Sequence, residues 1–349
     1  MGVGREALFD DLFAQRSQRE AFRRSLEGLL LPAERRKTLT GLANTAPVAG
    51  AQHPRAQGVP WFLSESTWAP ATRNARRLAL LRADPATAPD ARGVLGSDEH
   101  GDRKWGRQTA PVGRQDLANL GKTDNGVVAV TSLWADARAY YPLDDEPYTP
   151  ARHVAGGTGD PAFRTKLQIA RELVTAAVEA GVPFRAVGAD RCYGEGAGFR
   201  ERLHELRVGY VLALTPSPGW WHREGTIGAL WAAARAAGWR DADAPGSWVE
   251  VVRACRDGHT ETWWALEVVA GPYGAAPQQR AVVATTDPAT LPERQTWYLA
   301  TNLPRPGMAA AEAGAPPPAD LAEVVRLYGL RRWVEQSDKQ TKYALGWSQ

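Results

Sequence analysis

Residues 163–190 leave few folds open to this chain. "FRTKLQIARELVTAAVEAGV" carries apolar residues at three- and four-residue spacing, the pattern of a helix with one buried face. It runs almost directly into "PFRAVGAD" (183–190), an apolar run too continuous to keep a solvated side, and so predicts a buried strand ending in Asp190. "GFRERLHELRV" and "GYVLALTP" then repeat the helix–strand succession. Upstream, "GVVAVTSLWA" (126–135) reads as a strand and "RAYYPLDDEPY" (138–148) as its partner. "GVLGSDEHG" reads as a short strand ending in acids. Alternation of this kind predicts a mixed α/β sheet covered by helices.

The flanks follow other rules. Residues 5–45 have helical periodicity with Arg and Lys on the outer face. "PWFLSESTWAPATRNARRLALLRADP" predicts a further helix starting at "SEST". Residues 1–90 are therefore expected to form a helical domain, whose basic face either supports the core or touches DNA. Residues 91–215 form the first part of the α/β core. Residues 216–296 break the rhythm with Trp, Gly, Pro and short strands ("SWVEVVRACR", "ETWWALEVV", "QRAVVATT") and read as a β-rich insertion. Residues 297–349 return to the core through "TWYLATNL", an Ala- and Pro-rich linker and a final helix with Asp320 as its cap.

The net charge is only +3, so any nucleic-acid site must be a local basic patch. Cys192 and Cys255 make neither a disulfide framework nor a zinc site, which points to a reducing, cytoplasmic setting. No run approaches the ~18–20 apolar residues of a membrane span. Paired Trp at 220–221 and 263–264 point to opposite faces of a strand, so at most one of each pair can stack on unpaired bases; core or inter-sheet packing is the expectation.

Asp98 and Asp190 each fall at the end of a predicted strand, where open α/β sheets bind ligands. If those strands are parallel neighbours, the carboxylates face each other and repel unless a cation bridges them. Hard oxygen ligands suit Mg²⁺ or Mn²⁺. A third carboxylate would complete a two-metal site for phosphoryl transfer. In the closing helix, Arg331, Glu335, Lys339 and Lys342 share one face by their spacing, with Arg332 beside them. Taken alone, that face reads first as a network of surface ion pairs; the second reading is a metal-binding acid among phosphate-binding cations. Asp102, Arg103 and Lys104 read as a solvated turn whose cations can touch DNA. His100 reads as a turn residue, and Lys122–Asn125 as a tight turn. "GADRCYGEGAGF" lacks the third glycine of a dinucleotide-binding loop, since Phe199 stands there.

These residues carry a resemblance. Tyr328, Arg331, Glu335 and Lys342 match the Y-(2)-R-(3)-E-(6)-K spacing of DDE-type insertion-sequence transposases. The chain resembles the insertion-sequence 701 family, related to the insertion-sequence 4 family, in four ordered blocks. These are "SDEHGDRKWG", "VGRQDLANLGKTDNGVVAVTSLWADARAYYPL", "FRAVGADRCYG" and the closing "ADLAEVVRLYGLRRWVEQSDKQTKYALGW" with "WYLATNLPRP" before it. The resemblance implies a ribonuclease-H-like core with a β-rich insertion between the second Asp and the Glu. It implies cleavage at transposon ends and strand transfer, with Asp98, Asp190 and Glu335 binding two Mg²⁺ or Mn²⁺ ions. It further implies DNA contacts from Arg331 and Lys342, support from Tyr328, and a homodimer pairing two terminal inverted repeats with target DNA.

The chain departs from that pattern at Gly96 and Ser97, where the family has branched apolar residues, and at Trp105 and Asp338. The family also runs on past the position equivalent to residue 349, so the resemblance implies a shortened copy. The rival readings are a remnant that binds DNA without cutting it, a ribonuclease-H-like nuclease with another task, and a nucleotide-cofactor enzyme.

Overall fold

A computed structural model describes residues 5–31, 37–44, 52–67, 69–106, 111–117, 121–216, 220–222, 227–268, 270–271, 280–307 and 315–344. The chain divides into two compact units, Met1–Ala88 with Glu335–Gln349, and Pro89–Val334. None of the described helices is long and apolar enough to cross a membrane.

The smaller unit is helical. A 3-10 turn over Arg5–Leu12 precedes α1 (Arg16–Leu30), α2 (Leu39–Leu42), α3 (Pro54–Ser64) and α4 (Pro70–Ala83). Phe13, Ala21 and Phe62 pack with Phe9 and Phe22 into an aromatic core. At Gly28 a Cβ would lie 2.2 Å from the Leu42 carbonyl oxygen, so α1 meets α2 through a residue without a side chain. The "SEST" stretch ends α3 instead of starting a helix. The next helix begins at Pro70, whose fixed φ and missing N–H suit a first turn.

The larger unit contains, in order, β1 (Val94–Arg103), β2 (Gly113–Leu117), β3 (Lys122–Ala135), β4 (Tyr140–Pro147), α5 (Lys166–Glu179), β5 (Ala186–Ala189), α6 (Arg191–Gly194), α7 (Ala197–Glu205), β6 (Tyr210–Ala213), β7 (Trp220–His222), β8 (Ile227–Gly228) and α8 (Leu230–Arg235). Then come β9 (Val249–Ala254), β10 (Thr260–Val268), β11 (Ala270–Gly271), β12 (Arg280–Thr285), β13 (Thr296–Thr301) and α9 (Leu321–Lys339), whose last turns from Glu335 belong to the helical unit. Ten strands form one mixed sheet in the order β2-β3-β1-β5-β6-β13-β12-β10-β9, with β4 paired to β3. Its centre, β1-β5-β6, is parallel and everything outward is antiparallel. β7, β8 and β11 make a separate small sheet.

The central strands are short and buried because helices cover them, as their unbroken apolar sequences require. The strands of the 216–296 stretch do not stand apart: β12, β10 and β9 continue the main sheet outward from β13. Trp263 and Trp264 on β10 pack to opposite faces, Trp263 with Val325 and Trp264 with Leu230 and Trp248. The side chains of Trp220 and Trp221 lie outside the described residues.

Two expectations need correction. β1 does not end at Asp98 but runs on to Arg103, and Lys122–Asn125 begin β3 instead of forming a turn. The cause is pairing: β1 and β3 are in antiparallel register from Val94↔Ala135 to Arg103↔Gly126, well past the end of the parallel core. Ion pairing of Arg103 with Asp124 (3.3 Å) lets this polar ribbon stay extended.

α9 settles the geometry. Asp320 caps it as expected, its Oδ1 accepting from the Glu323 N–H at 2.7 Å. Val324, Leu327 and Tyr328 pack against Val94, Ala186, Val211 and Leu299 of the sheet. The helix comes unusually close at Gly96, where a Cβ would lie 2.5 Å from Val334 Cγ2; at Gly188 a Cβ would meet Val94 Cγ1 at 3.1 Å and make only ordinary contact, 3.4 Å, with Arg331 Cβ. Gly96 thus has a physical reason for replacing a branched residue: it admits Val334. Gly96→Ala should lower stability by about 1–3 kcal/mol through overpacking. Val334→Ala in the same chain should recover part of that loss, as read from urea midpoints. Strict additivity of the two single losses would refute the close packing.

Candidate active site

Two strand neighbours fix the acids. β1 and β5 are parallel, with Ser97 opposite Ala189, so Asp98 and Asp190 are the next residues on adjacent chains. Neighbouring strands run about 4.8 Å apart. The two carboxylates therefore rise from one edge of the parallel core, as the sequence predicts for parallel neighbours. They differ in setting. Asp98 is in mid-strand and buried, at 9% exposure. Asp190 is half-buried and caps α6, its Oδ1 accepting from the Cys192 N–H at 2.9 Å.

A buried carboxylate needs a partner. Asp98 Oδ1 accepts from the Glu99 N–H at 2.9 Å, and Oδ2 accepts from Arg331 Nη2 at 2.6 Å. Arg331 is itself buried, at 9% exposure. From sequence it is expected to reach a DNA phosphate; in the protein alone its guanidinium sits on the first Asp.

Three residues complete the surroundings. Glu99, half-buried, pairs with Lys166 Nζ at 2.9 Å, and Lys166 also lies 5.7 Å from the Tyr148 ring centroid. Tyr193 is buried and its Oη has no hydrogen-bond partner. Burial first, then the charges of Glu99, Asp98 and Asp190, push its hydroxyl far above the usual range, so it stays protonated. The Cys192 thiol is likewise pushed up, by burial and then by Asp190 and Glu99, which makes it a poor nucleophile. His100 lies in β1 with Nδ1 3.0 Å from Thr131 Oγ1, not in a turn. The sequence pass missed Lys166 and Tyr193. Tyr193 stands three residues past Asp190, and only the α6 turn brings it back among the acids.

The other expected residues are placed as follows. Tyr328 is buried against the sheet, with its ring 5.0 Å from Trp297 in an edge-on arrangement. Arg332 is exposed. Arg103 stacks on the exposed Trp105 at 4.2 Å, and Lys104 pairs with Asp102 at 2.7 Å. Glu335 and Lys339 are exposed and Lys342 is half-buried, all three in the helical unit.

The donor set around Asp98 and Asp190 suits a hard divalent cation. Asp98 and Asp190 present carboxylate oxygens from adjacent parallel strands, the hard donor type such an ion takes. Among the described residues of the larger unit, Asp98 and Asp190 do not join a third His, Cys, Asp or Glu in a group whose donors all lie within 4.8 Å of one another.

The comparisons with known proteins agree with this geometry. Residues 8–265 match the family described as DDE superfamily endonuclease. The chain belongs to that family. The probable transposase for insertion sequence element IS701 of Microchaete diplosiphon is 32% identical over 317 residues, covering 90% of this chain and 72% of the relative. The matched span contains both Asp98 and Asp190. As a DDE endonuclease the protein is an enzyme of DNA chemistry that uses divalent metal ions.

In this endonuclease the ion pair between Asp98 and Arg331 should couple strongly. Breaking a buried pair from one side costs about 3–5 kcal/mol. Arg331→Met and Asp98→Asn should each approach that loss. The double variant should lose clearly less than their sum in a denaturant double-mutant cycle. Additive losses would show that the two groups do not depend on each other.

Proposed function

We propose that this chain is a DNA transposase that cleaves at transposon ends and transfers strands. The observation that carries the reading is the parallel register that sets Asp98 beside Asp190, with Arg331 of the motif helix seated on Asp98. On this reading the larger unit has a ribonuclease-H-like core interrupted by a β-rich insertion at 216–296, and residues 1–90 form a helical domain that meets DNA.

Asp98, Asp190 and Glu335 would hold two Mg²⁺ or Mn²⁺ ions. Bound there, the ions supply the charge that activates a nucleophile and stabilises a leaving oxygen. The chain's own residues do the positioning. Arg331 holds Asp98 Oδ2 in one rotamer and neutralises it until substrate and metal arrive. Tyr328, wedged against Trp297, fixes the rotation of α9 about its axis. Lys166 holds Glu99 to one side. Arg332, Lys339, Lys342, Arg103 and Lys104 contact phosphates, which fix register and carry no sequence information. Water attacks a phosphodiester at the element's end, and the freed 3′-hydroxyl then attacks the target strand. No covalent enzyme intermediate is needed. Two copies pair two inverted-repeat ends, and the work takes place in the bacterial cytoplasm, at the nucleoid.

One observation favours a second reading, binding without cutting. Arg331 occupies Asp98 Oδ2 at 2.6 Å, so a metal must displace it or share the carboxylate. A single assay separates the readings. Purified protein receives Mg²⁺ or Mn²⁺, a duplex carrying the element's end, and a target plasmid. Transposition predicts metal-dependent nicking at the end and joined products, both lost in Asp98→Asn and Asp190→Asn. Binding with no nicking favours the remnant. Nicking with no joining favours a ribonuclease-H-like nuclease. Loss of binding as well removes all three.

A further inference from the structure

The tip of the β9–β10 hairpin gathers three side chains that the DNA chemistry does not use. The tip is tight: the Gly258 N–H donates to the Cys255 carbonyl at 3.0 Å, with Gly258 at φ +91°. The Cys255 N–H donates to the His259 carbonyl at 2.8 Å, which sets those residues opposite each other. Below them, Arg253 is opposite Glu261. Residues opposite one another, and residues two apart on a strand, share a face. Cys255, His259 and Glu261 therefore project from one face of the hairpin.

Their donor atoms all lie within 4.8 Å of one another. His259 Nε2 and Glu261 Oε1 are 3.5 Å apart. The remaining heteroatoms are already held. His259 Nδ1 is paired with Asp257 Oδ1 at 2.5 Å. Glu261 Oε2 accepts from Trp263 Nε1 at 2.9 Å and from Arg253 Nη1 at 3.1 Å. These supports leave Nε2 and Oε1 facing each other, and the Cys255 sulfur lies within 4.8 Å of a donor atom of each residue. A carboxylate on the far nitrogen of an imidazole is the support that orients histidines bound to metal. A plain network of ion pairs accounts for Arg253, Asp257, His259 and Glu261, but gives no reason for a thiol to converge with them.

We propose that Cys255, His259 and Glu261 form a binding site for one borderline divalent cation of the Zn²⁺ class. One thiolate, one imidazole and one carboxylate match the ligand types of zinc, with water in the fourth tetrahedral position. Mg²⁺, which takes oxygen ligands, does not suit the sulfur. Charge also balances: the Cys255 thiolate, Asp257 and Glu261 offset the cation together with Arg253. On binding, the Cys255 thiol gives its proton to solvent. The site clips the hairpin that carries the outer strands of the sheet, and its chemistry is distinct from that of the hard-oxygen site at Asp98 and Asp190.

The test uses the full chain, stripped with chelator and titrated with Co²⁺. The expected result is one equivalent giving a thiolate-to-cobalt charge-transfer band, displaced by Zn²⁺ and untouched by Mg²⁺. Cys192→Ser should keep the band, Cys255→Ser should abolish it, and Glu261→Gln should weaken Co²⁺ binding about tenfold or more. A second measurement needs no variant: Zn²⁺ should slow alkylation of Cys255 in the wild-type chain, mapped by mass spectrometry. The proposal is overturned by a wild-type protein with no charge-transfer band, by a band that survives in Cys255→Ser, or by a Cys255 alkylation rate that Zn²⁺ leaves unchanged.

Discussion

The buried ion pair of Arg331 with Asp98 ties the larger unit together. A carboxylate in the middle of a buried strand is costly without a partner, and the partner comes from an element more than two hundred residues away. For the guanidinium to reach, α9 must lie almost on the sheet. Gly96 permits that approach by admitting Val334. Helix, strands and acid are therefore mutually dependent. Moving any one of them leaves a buried charge exposed to apolar surroundings or drives a methyl group into backbone.

The same arrangement decides what chemistry the edge can support. Parallel pairing brings Asp98 and Asp190 side by side, and antiparallel pairing with β3 carries β1 onward as a polar ribbon. Lys166 and Arg331 neutralise two of the three carboxylates there, and Tyr193 stays protonated among them. Cations thus already share this edge with the acids, which is the setting in which a metal and a phosphate can be exchanged for protein groups.

How legible this was depended on the range of the forces involved. The helix over 166–179, the strand ending beside Asp190, the cap at Asp320 and the opposed faces of Trp263 and Trp264 follow from periodicity within a few residues, and each is seen. The end of β1 was misread because its polar second half is held extended by β3, and acids and glycines in isolation read as turn. The seat of Arg331 on Asp98 was not legible, since spacing along a helix says which residues share a face and not what faces them. The Cys255 group was passed over because a count of two cysteines excludes only sites built from cysteine. Its members meet across a hairpin turn.

The sequence by itself determined the alternation of strand and helix, the two acids Asp98 and Asp190 of the parallel core, the closing helix, and membership of the DDE endonucleases. These depend on local pattern and on residue identity in fixed blocks, and both survive without coordinates. Only the tertiary structure decided that the outer strands of the 249–285 region extend the main sheet, that glycine at 96 serves a helix contact, and that Arg331 answers Asp98. Each of those rests on contacts between residues far apart in the chain. Such contacts are chosen by packing density and by the need to pair buried charge, and neither leaves a periodic mark on the sequence.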